Sequence, residues 1–212
     1  MTRLLIVRHG QSVANLGNIF AGHIDIELTE LGLRQAQKTA AFIAENYSVD
    51  KVYASDLRRA FVTGQTVAER LGLEAIPEKG LREIAAGDWE GVHFDELPKL
   101  SPVEFAMWND DIGKFRCPAG ESSAELQSRV VSTIRRIAAE NEGKTLVIAS
   151  HAFAIRALIS FADSGDTKTM HFIPWVSNAS VTEAEVENGE IRIIKSGQDA
   201  HLEELATKAE KL

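Results

Sequence analysis

Arg3-Leu4-Leu5-Ile6-Val7-Arg8-His9-Gly10 is the stretch on which the reading of this chain turns. An unbroken apolar run, Leu4 to Val7, closes abruptly on an arginine, a histidine and a glycine. A run without polar alternation is how a strand buried on both faces reads, and such strands belong to parallel sheets covered by helices on either side. The pattern returns at Thr145 to Ala149, just before Ser150-His151, and more weakly at Val49 to Ala54 and Glu74 to Pro77. Helical stretches lie between. Thr29 is placed to cap a helix carrying Leu33, Ala36, Ala40 and Ile43 on one face. Ser55 is read as the cap of a helix over about 56–71, with Gly72 just past its end. Residues 121–141 repeat Leu126, Val130, Ile134 and Ile137 at helical spacing and stop at Gly143, and a further helix follows over about 152–161. Val181 to Val186 and Glu190 to Ile194 flank Asn188-Gly189, the signature of a hairpin. Residues 80–118 are irregular and rich in Trp, Gly, Pro and acidic side chains. They read as loops and short helices lying over a site. The expectation is an α/β three-layer sandwich with a mostly parallel central sheet, one domain over 1–212 with a cap at about 80–118.

Composition narrows the function. The 212 residues are 44% hydrophobic and 25% charged, which is ordinary for a globular domain large enough to bury a core unaided. A net charge of -8 makes a poor general binder of nucleic acid or anionic membrane, so any anion must be held by locally placed cations. The single cysteine, Cys117, excludes an internal disulfide. The first apolar run is too short for a signal peptide, and a cytoplasmic protein is expected.

In an open parallel sheet, ligands bind outside the carboxyl ends of the strands. That rule sends Arg8 and His9, Ser55 to Arg59, Glu83 and His151 to one edge. Arginines present fixed forks of donors that match phosphate oxygens and stay charged at any useful pH. Arg8 and Arg58 beside a histidine lower its pKa and keep one ring nitrogen free as a nucleophile. A histidine nucleophile, an arginine cradle and a carboxylic acid suffice for phosphoryl transfer, and no HExxH, CxxC or P-loop calls for a metal or cofactor.

At these residues the chain resembles the histidine phosphatase superfamily, the phosphoglycerate mutase-like proteins. Arg8-His9-Gly10-Gln11-Ser12 followed by Asn15 carries the resemblance first. Phe20 to Asp25, Leu28 to Gly32, Ala54 to Ala60, Leu81 to Ile84 with Gly87 and Trp89-Glu90-Gly91, Pro118 to Ser122, Ser150-His151 and Asn178 to Ser180 follow in order. The resemblance implies a phosphohistidine on His9. Arg8, Arg58 and His151 would bind the phosphoryl group, with Asn15 nearby, and Glu83 would be proton donor and acceptor. Gln11, Ser12, Ala21, Gly22 and Arg82 would lie close to substrate. Ala152 stands where the family usually has glycine, and its methyl group is expected either to narrow the substrate's room or to shift a backbone N–H. Arg59 is divided between site rim and surface, and His23 between the mouth and elsewhere. His93, His171 and His201 read as structural or surface residues, and the three tryptophans as packing. The mixed-charge tail, 203–211, reads as a solvated helix end.

Three functions follow from the resemblance. The preferred one is a metal-independent phosphatase acting on a small phosphorylated metabolite. The alternatives are a cofactor-dependent phosphoglycerate mutase and, behind it, a non-catalytic phospholigand-binding protein. Retention of both His9 and Glu83 favours an enzyme. Leu81-Arg82-Glu83-Ile84-Ala85-Ala86-Gly87-Asp88-Trp89-Glu90-Gly91 resembles the phosphatase branch, whereas the mutases carry Glu-Arg-His-Tyr-Gly and a longer insertion. Neither nucleic acid nor membrane is expected as a partner; at most a second copy of the chain is.

Overall fold

In the computed structural model, which describes residues 1–207, six strands form one sheet in the order β3-β2-β4-β1-β5-β6. The tail read over 203–211 lies outside the described residues from position 208 on. In chain order the elements are β1 (Thr2–Arg8), α1 (Val13–Leu16), α2 (Glu30–Asn46), β2 (Lys51–Ala54), α3 (Arg58–Leu71) and β3 (Ala75–Pro77). The cap follows with α4 (Leu97–Leu100) and α5 (Pro102–Asp110). Then come α6 (Ser123–Ala139), β4 (Thr145–Ser150), α7 (Ala152–Ser164), β5 (Val181–Glu187) and β6 (Glu190–Gln198). Strands β3, β2, β4 and β1 are mutually parallel, and β5 joins β1 antiparallel, Val7 opposite Val181.

The apolar runs divide by parity, as side chains of period two must. Leu5, Val7, Val52 and Val147 pack with Ala40, Ile43, Val67 and Ala68 of α2 and α3 on one face. Leu4, Ile6, Leu146 and Ile148 pack with Leu126, Val130, Ile134, Phe153 and Leu158 of α6 and α7 on the other. Beyond that second face the cap is pinned by aromatic contacts. Trp108 meets Phe20, Phe115 and Phe153 edge-on at 5.0 to 5.4 Å and stacks on Trp175 at 5.7 Å. The tryptophans are packing residues, as their sequence context implied.

Two local expectations are corrected. Helix α3 begins at Arg58, two residues later than read, with Leu57 as N-cap and no side-chain cap bond. Ser55 does not cap it; its hydroxyl is engaged by His151. The hairpin is as read: Asn188 and Gly189 take φ of 51° and 81°, the positive pair a tight two-residue turn needs.

Candidate active site

The parallel strands β1, β2 and β4 end together, at Arg8, Ala54 and Ser150, and the chain turns there into the residues that carry chemistry. Only glycine fits in the first turn. A Cβ on Gly10 would overlap the carbonyl of Gly32, and one on Gly32 the carbonyl of Gln11, so the α2 start lies directly on the loop after β1. His9 is thereby buried, its ring centroid 5.2 Å from that of His151. Its Nδ1 lies 2.7 Å from the Gly10 carbonyl. A carbonyl only accepts, so Nδ1 carries the proton and Nε2 the lone pair. Burial, then Arg59, then Arg8 hold the His9 pKa well below the ordinary 6.5, so the ring is neutral and nucleophilic at neutral pH.

His151 is fully buried, and its pKa is also lowered, first by burial and then by Arg59. Its Nε2 sits 2.8 Å from Ser55 Oγ, while its Nδ1 has no partner among the described residues. Ser55 Oγ also accepts from the Leu57 amide at 3.4 Å. If the hydroxyl gives its one proton to Nε2, Nδ1 carries the imidazole proton and is a free buried donor. Arg8 offers a second such donor. Its Nη1 donates to the Val176 carbonyl at 2.6 Å, and its Nε is buried without a partner among the described residues. Burial pushes the Arg8 pKa down to about 10, which leaves it charged at neutral pH. Unpaired buried donors are costly, and two of them beside one histidine suit the binding of an anion.

Of the two adjacent arginines, Arg59 and not Arg58 lines the cleft. Arg59 is 1% exposed, lines the cleft beside His9, and donates to the carbonyls of Ile24 and Gly22 at 2.9 Å each. Arg58 is exposed and ion-paired with Glu27, and its amide is taken by Asp25 at 2.6 Å. Helix periodicity is the reason. Arg59 shares the stripe of Ala60, Thr63, Gly64 and Val67, all buried, whereas Arg58 lies on the face of Val62, Gln65 and Glu69. That stripe is legible in the sequence and would have found Arg59.

Glu83 is 5% exposed and lies under the start of α7. Its Oε1 accepts from the amides of Ile84 at 3.0 Å and Ala154 at 3.2 Å, its Oε2 from that of Phe153 at 3.2 Å. The amides of Phe153 and Ala154 are orphan donors of the helix terminus. These bonds favour the carboxylate, but burial outweighs them and raises the pKa above the usual carboxylate range. A buried carboxyl with a raised pKa can give a proton to a leaving oxygen and, once ionised, take one back from water.

The cleft is lined by Arg8, His9, Ser12, Asn15, Ile19, Phe20, Ala21, Gly22, Arg59 and Glu83. Asn15 Oδ1 is occupied by Ser12 and by Asn178 at 3.2 Å, and Asn178 also holds the His9 carbonyl at 3.1 Å. Gln11, Arg58, Arg82, His151 and Ala152 are not among the residues lining the cleft, although the His151 ring lies against that of His9. Gln11 is tied to Gln35 and Thr29, and Arg82 grips Asp56 through two 2.6 Å bonds. Ala152 is buried in the first turn of α7, so its methyl does not narrow the cleft. His23 turns inward and engages the Glu83 carbonyl at 2.8 Å. Two larger grooves, each about 380 Å³, flank the β5–β6 hairpin, and neither contains a histidine. Size alone would misplace the site.

A histidine held as the Nδ1–H tautomer among two buried arginines, a second histidine and a buried acid suits phosphoryl transfer. The sequence model of the histidine phosphatase superfamily (branch 1) matches residues 4–199. The chain belongs to that superfamily. Phosphoglycerate mutase-like protein 4 of Arabidopsis thaliana is 31% identical over 95% of this chain and 87% of its own. Phosphoserine phosphatase 1 of Hydrogenobacter thermophilus is 29% identical over the whole of this chain and 99% of its own. The solved phosphoserine phosphatase of Entamoeba histolytica in complex with 3-phosphoglyceric acid superposes with a TM-score of 0.81 at 29% identity, covering 95% of this chain and all of that one. This histidine phosphatase is a phosphoric monoester hydrolase, and it works, as its superfamily does, through a phosphohistidine. Among the described residues no helix is long and apolar enough to cross a membrane.

Proposed function

We propose that the enzyme hydrolyses a small, acidic phosphate monoester, of the size of phosphoserine or 3-phosphoglycerate, on His9. The observation that carries the residue assignment is the tautomer: Nδ1 is committed to the Gly10 carbonyl, which leaves Nε2 as the attacking atom in a ring kept neutral by burial and two arginines. In the first step Nε2 forms a bond to phosphorus as the ester P–O bond breaks, and protonated Glu83 gives its proton to the leaving oxygen. In the second, water attacks phosphorus, Glu83 takes the proton, and the N–P bond breaks to release phosphate. Arg8 and Arg59 face the charge on the transferring oxygens, Ser12 and Asn15 complete the wall, and His151, against His9 with its Nδ1 unpaired among the described residues, supplies a further donor when Ser55 gives its proton to Nε2.

Substrate size follows from the narrow cleft and from what the phosphoserine phosphatase relatives act on. A cytoplasmic setting suits the one thiol, Cys117, which is buried and unpaired, with its pKa raised by burial. The test is a panel of monoesters with EDTA present, following released phosphate and 2-phosphoglycerate together. Phosphate without isomer from 3-phosphoglycerate supports the reading. Isomer at the rate of phosphate release would move the enzyme to the mutases, and wild-type turnover by His9→Ala would end the mechanism.

A further inference from the structure

The acid Glu83 stands on a segment, residues 80–85, that belongs to no strand and has no ladder to hold its carbonyls. What holds it is Arg129, from the middle of α6. All five N–H donors of that guanidinium are used. Nε and Nη2 grip Glu121 at 3.0 and 2.7 Å, Nη1 donates to the carbonyls of Gly80 and Arg82 at 3.0 Å each, and the second donor of Nη2 reaches the Glu83 carbonyl at 3.0 Å. Glu121 closes the loop from the other side, its Oε2 accepting from the Ala85 amide at 3.2 Å. The Glu83 carbonyl is shared with His23 Nε2 at 2.8 Å. The pair is mostly shielded, with Arg129 26% and Glu121 14% exposed.

We infer that Arg129, locked to Glu121, is a positioning residue for the proton-transfer step, fixing the main chain of Glu83 so that its carboxyl meets the amides at the start of α7. The planar fork is what the task requires, because three carbonyls and one carboxylate converge on it from fixed directions. A lysine ammonium has three donors on a flexible stem and cannot bridge them all. Neither Arg129 nor Glu121 lines the cleft, so the pair acts on chemistry only through the residue it holds.

This inference rests on Glu83 as the acid, and the experiment separates the two. Arg129→Gln, Arg129→Lys, Glu83→Gln and the Arg129→Gln/Glu83→Gln double variant are assayed by kcat/KM. The substrates are p-nitrophenyl phosphate, whose leaving group needs little protonation, and whichever of phosphoserine and 3-phosphoglycerate the wild type turns over faster. Arg129→Gln should lose about tenfold to a hundredfold on the alkyl phosphate, as expected of a displaced catalytic group, and far less on p-nitrophenyl phosphate. Arg129→Lys should recover part of the loss. In the Glu83→Gln background Arg129→Gln should add nothing, since residues acting as one unit are not additive. Equal losses on both substrates, or the full loss repeated in the double variant, would overturn the inference and leave Glu83 as the acid. If Glu83→Gln itself loses equally on both, the acid assignment falls and the role of Arg129 with it. Should Arg129→Gln fail to fold, Glu121→Gln loosens the same clamp and must show the same asymmetry; a symmetric loss there overturns the inference equally.

Discussion

Adjacent arginines, one buried in the cleft and one exposed at its rim, invite a paired substitution. Arg59→Met keeps the bulk of the side chain and removes its charge. Two of the five guanidinium donors of Arg59 are spent on the carbonyls of Ile24 and Gly22, which leaves three for the transferring oxygens. Loss of one preorganised donor group aimed at transition-state charge costs about 100- to 1,000-fold, and kcat/KM for p-nitrophenyl phosphate should fall by that amount. The pH profile carries a second signature. Arg59 is the largest cause after burial of the low His9 pKa, so its removal should raise that pKa and move the acid limb of kcat/KM to higher pH. Stability should fall as well, since two carbonyls lose their partner at about 1–3 kcal/mol apiece; relief from burying a cation offsets part of this. Arg58→Ala removes an exposed pair, 55% and 68% accessible on its two sides, worth at most about 1 kcal/mol. Its kcat/KM should stay within about fivefold of wild type. Collapse of Arg58→Ala together with survival of Arg59→Met would refute the assignment.

Three further outcomes are expected. Glu83→Gln should lower kcat/KM about 100- to 10,000-fold for an alkyl phosphate and much less for p-nitrophenyl phosphate; because water still needs a base, phosphoenzyme should accumulate with the better leaving group in a rapid-quench experiment, and its absence would show that Glu83 takes no proton. His9 and His151 are buried neutral, so below about pH 6.5 the unfolded chain binds protons that the native state does not. Stability in urea should then fall with pH by about 1.4 kcal/mol per unit for each histidine. Glu83 acts in the opposite sense, because its raised pKa makes the native state hold its proton more tightly. His9→Asn should flatten the slope by one histidine, and an unchanged slope would contradict the buried neutral state. Ala152→Gly should leave kcat/KM within about twofold while lowering stability by up to about 1 kcal/mol, the propensity difference in a helix; a large gain in activity would restore the methyl group as a substrate contact.

The sequence alone determined the layers and the edge on which the site lies. Apolar runs ending at Val7, Ala54 and Ala149, alternating with amphipathic helical stretches, point to a helix-covered, mostly parallel sheet. Once the strands are parallel, the residues after them must converge, which is why His9, His151, Arg8 and Glu83 were readable without coordinates. Tertiary structure decided what depends on rotation and on non-local partners. One residue of helix register separates Arg59 in the cleft from Arg58 on the rim; the stripe of Ala60, Thr63, Gly64 and Val67 carries that register in the sequence, but the carbonyls of Ile24 and Gly22 that hold Arg59 in place are non-local. Ser55 looked like a cap because capping is a local rule; a histidine 96 positions away claimed its hydroxyl. Gln11 and Arg82 were expected at the substrate from the family resemblance; here Gln35, Thr29 and Asp56 engage them, and neither lines the cleft. The hold of Arg129 on Glu83 spans 46 positions and joins a helix to a loop. No periodicity encodes such a contact, because it exists only after both faces of the sheet have been covered.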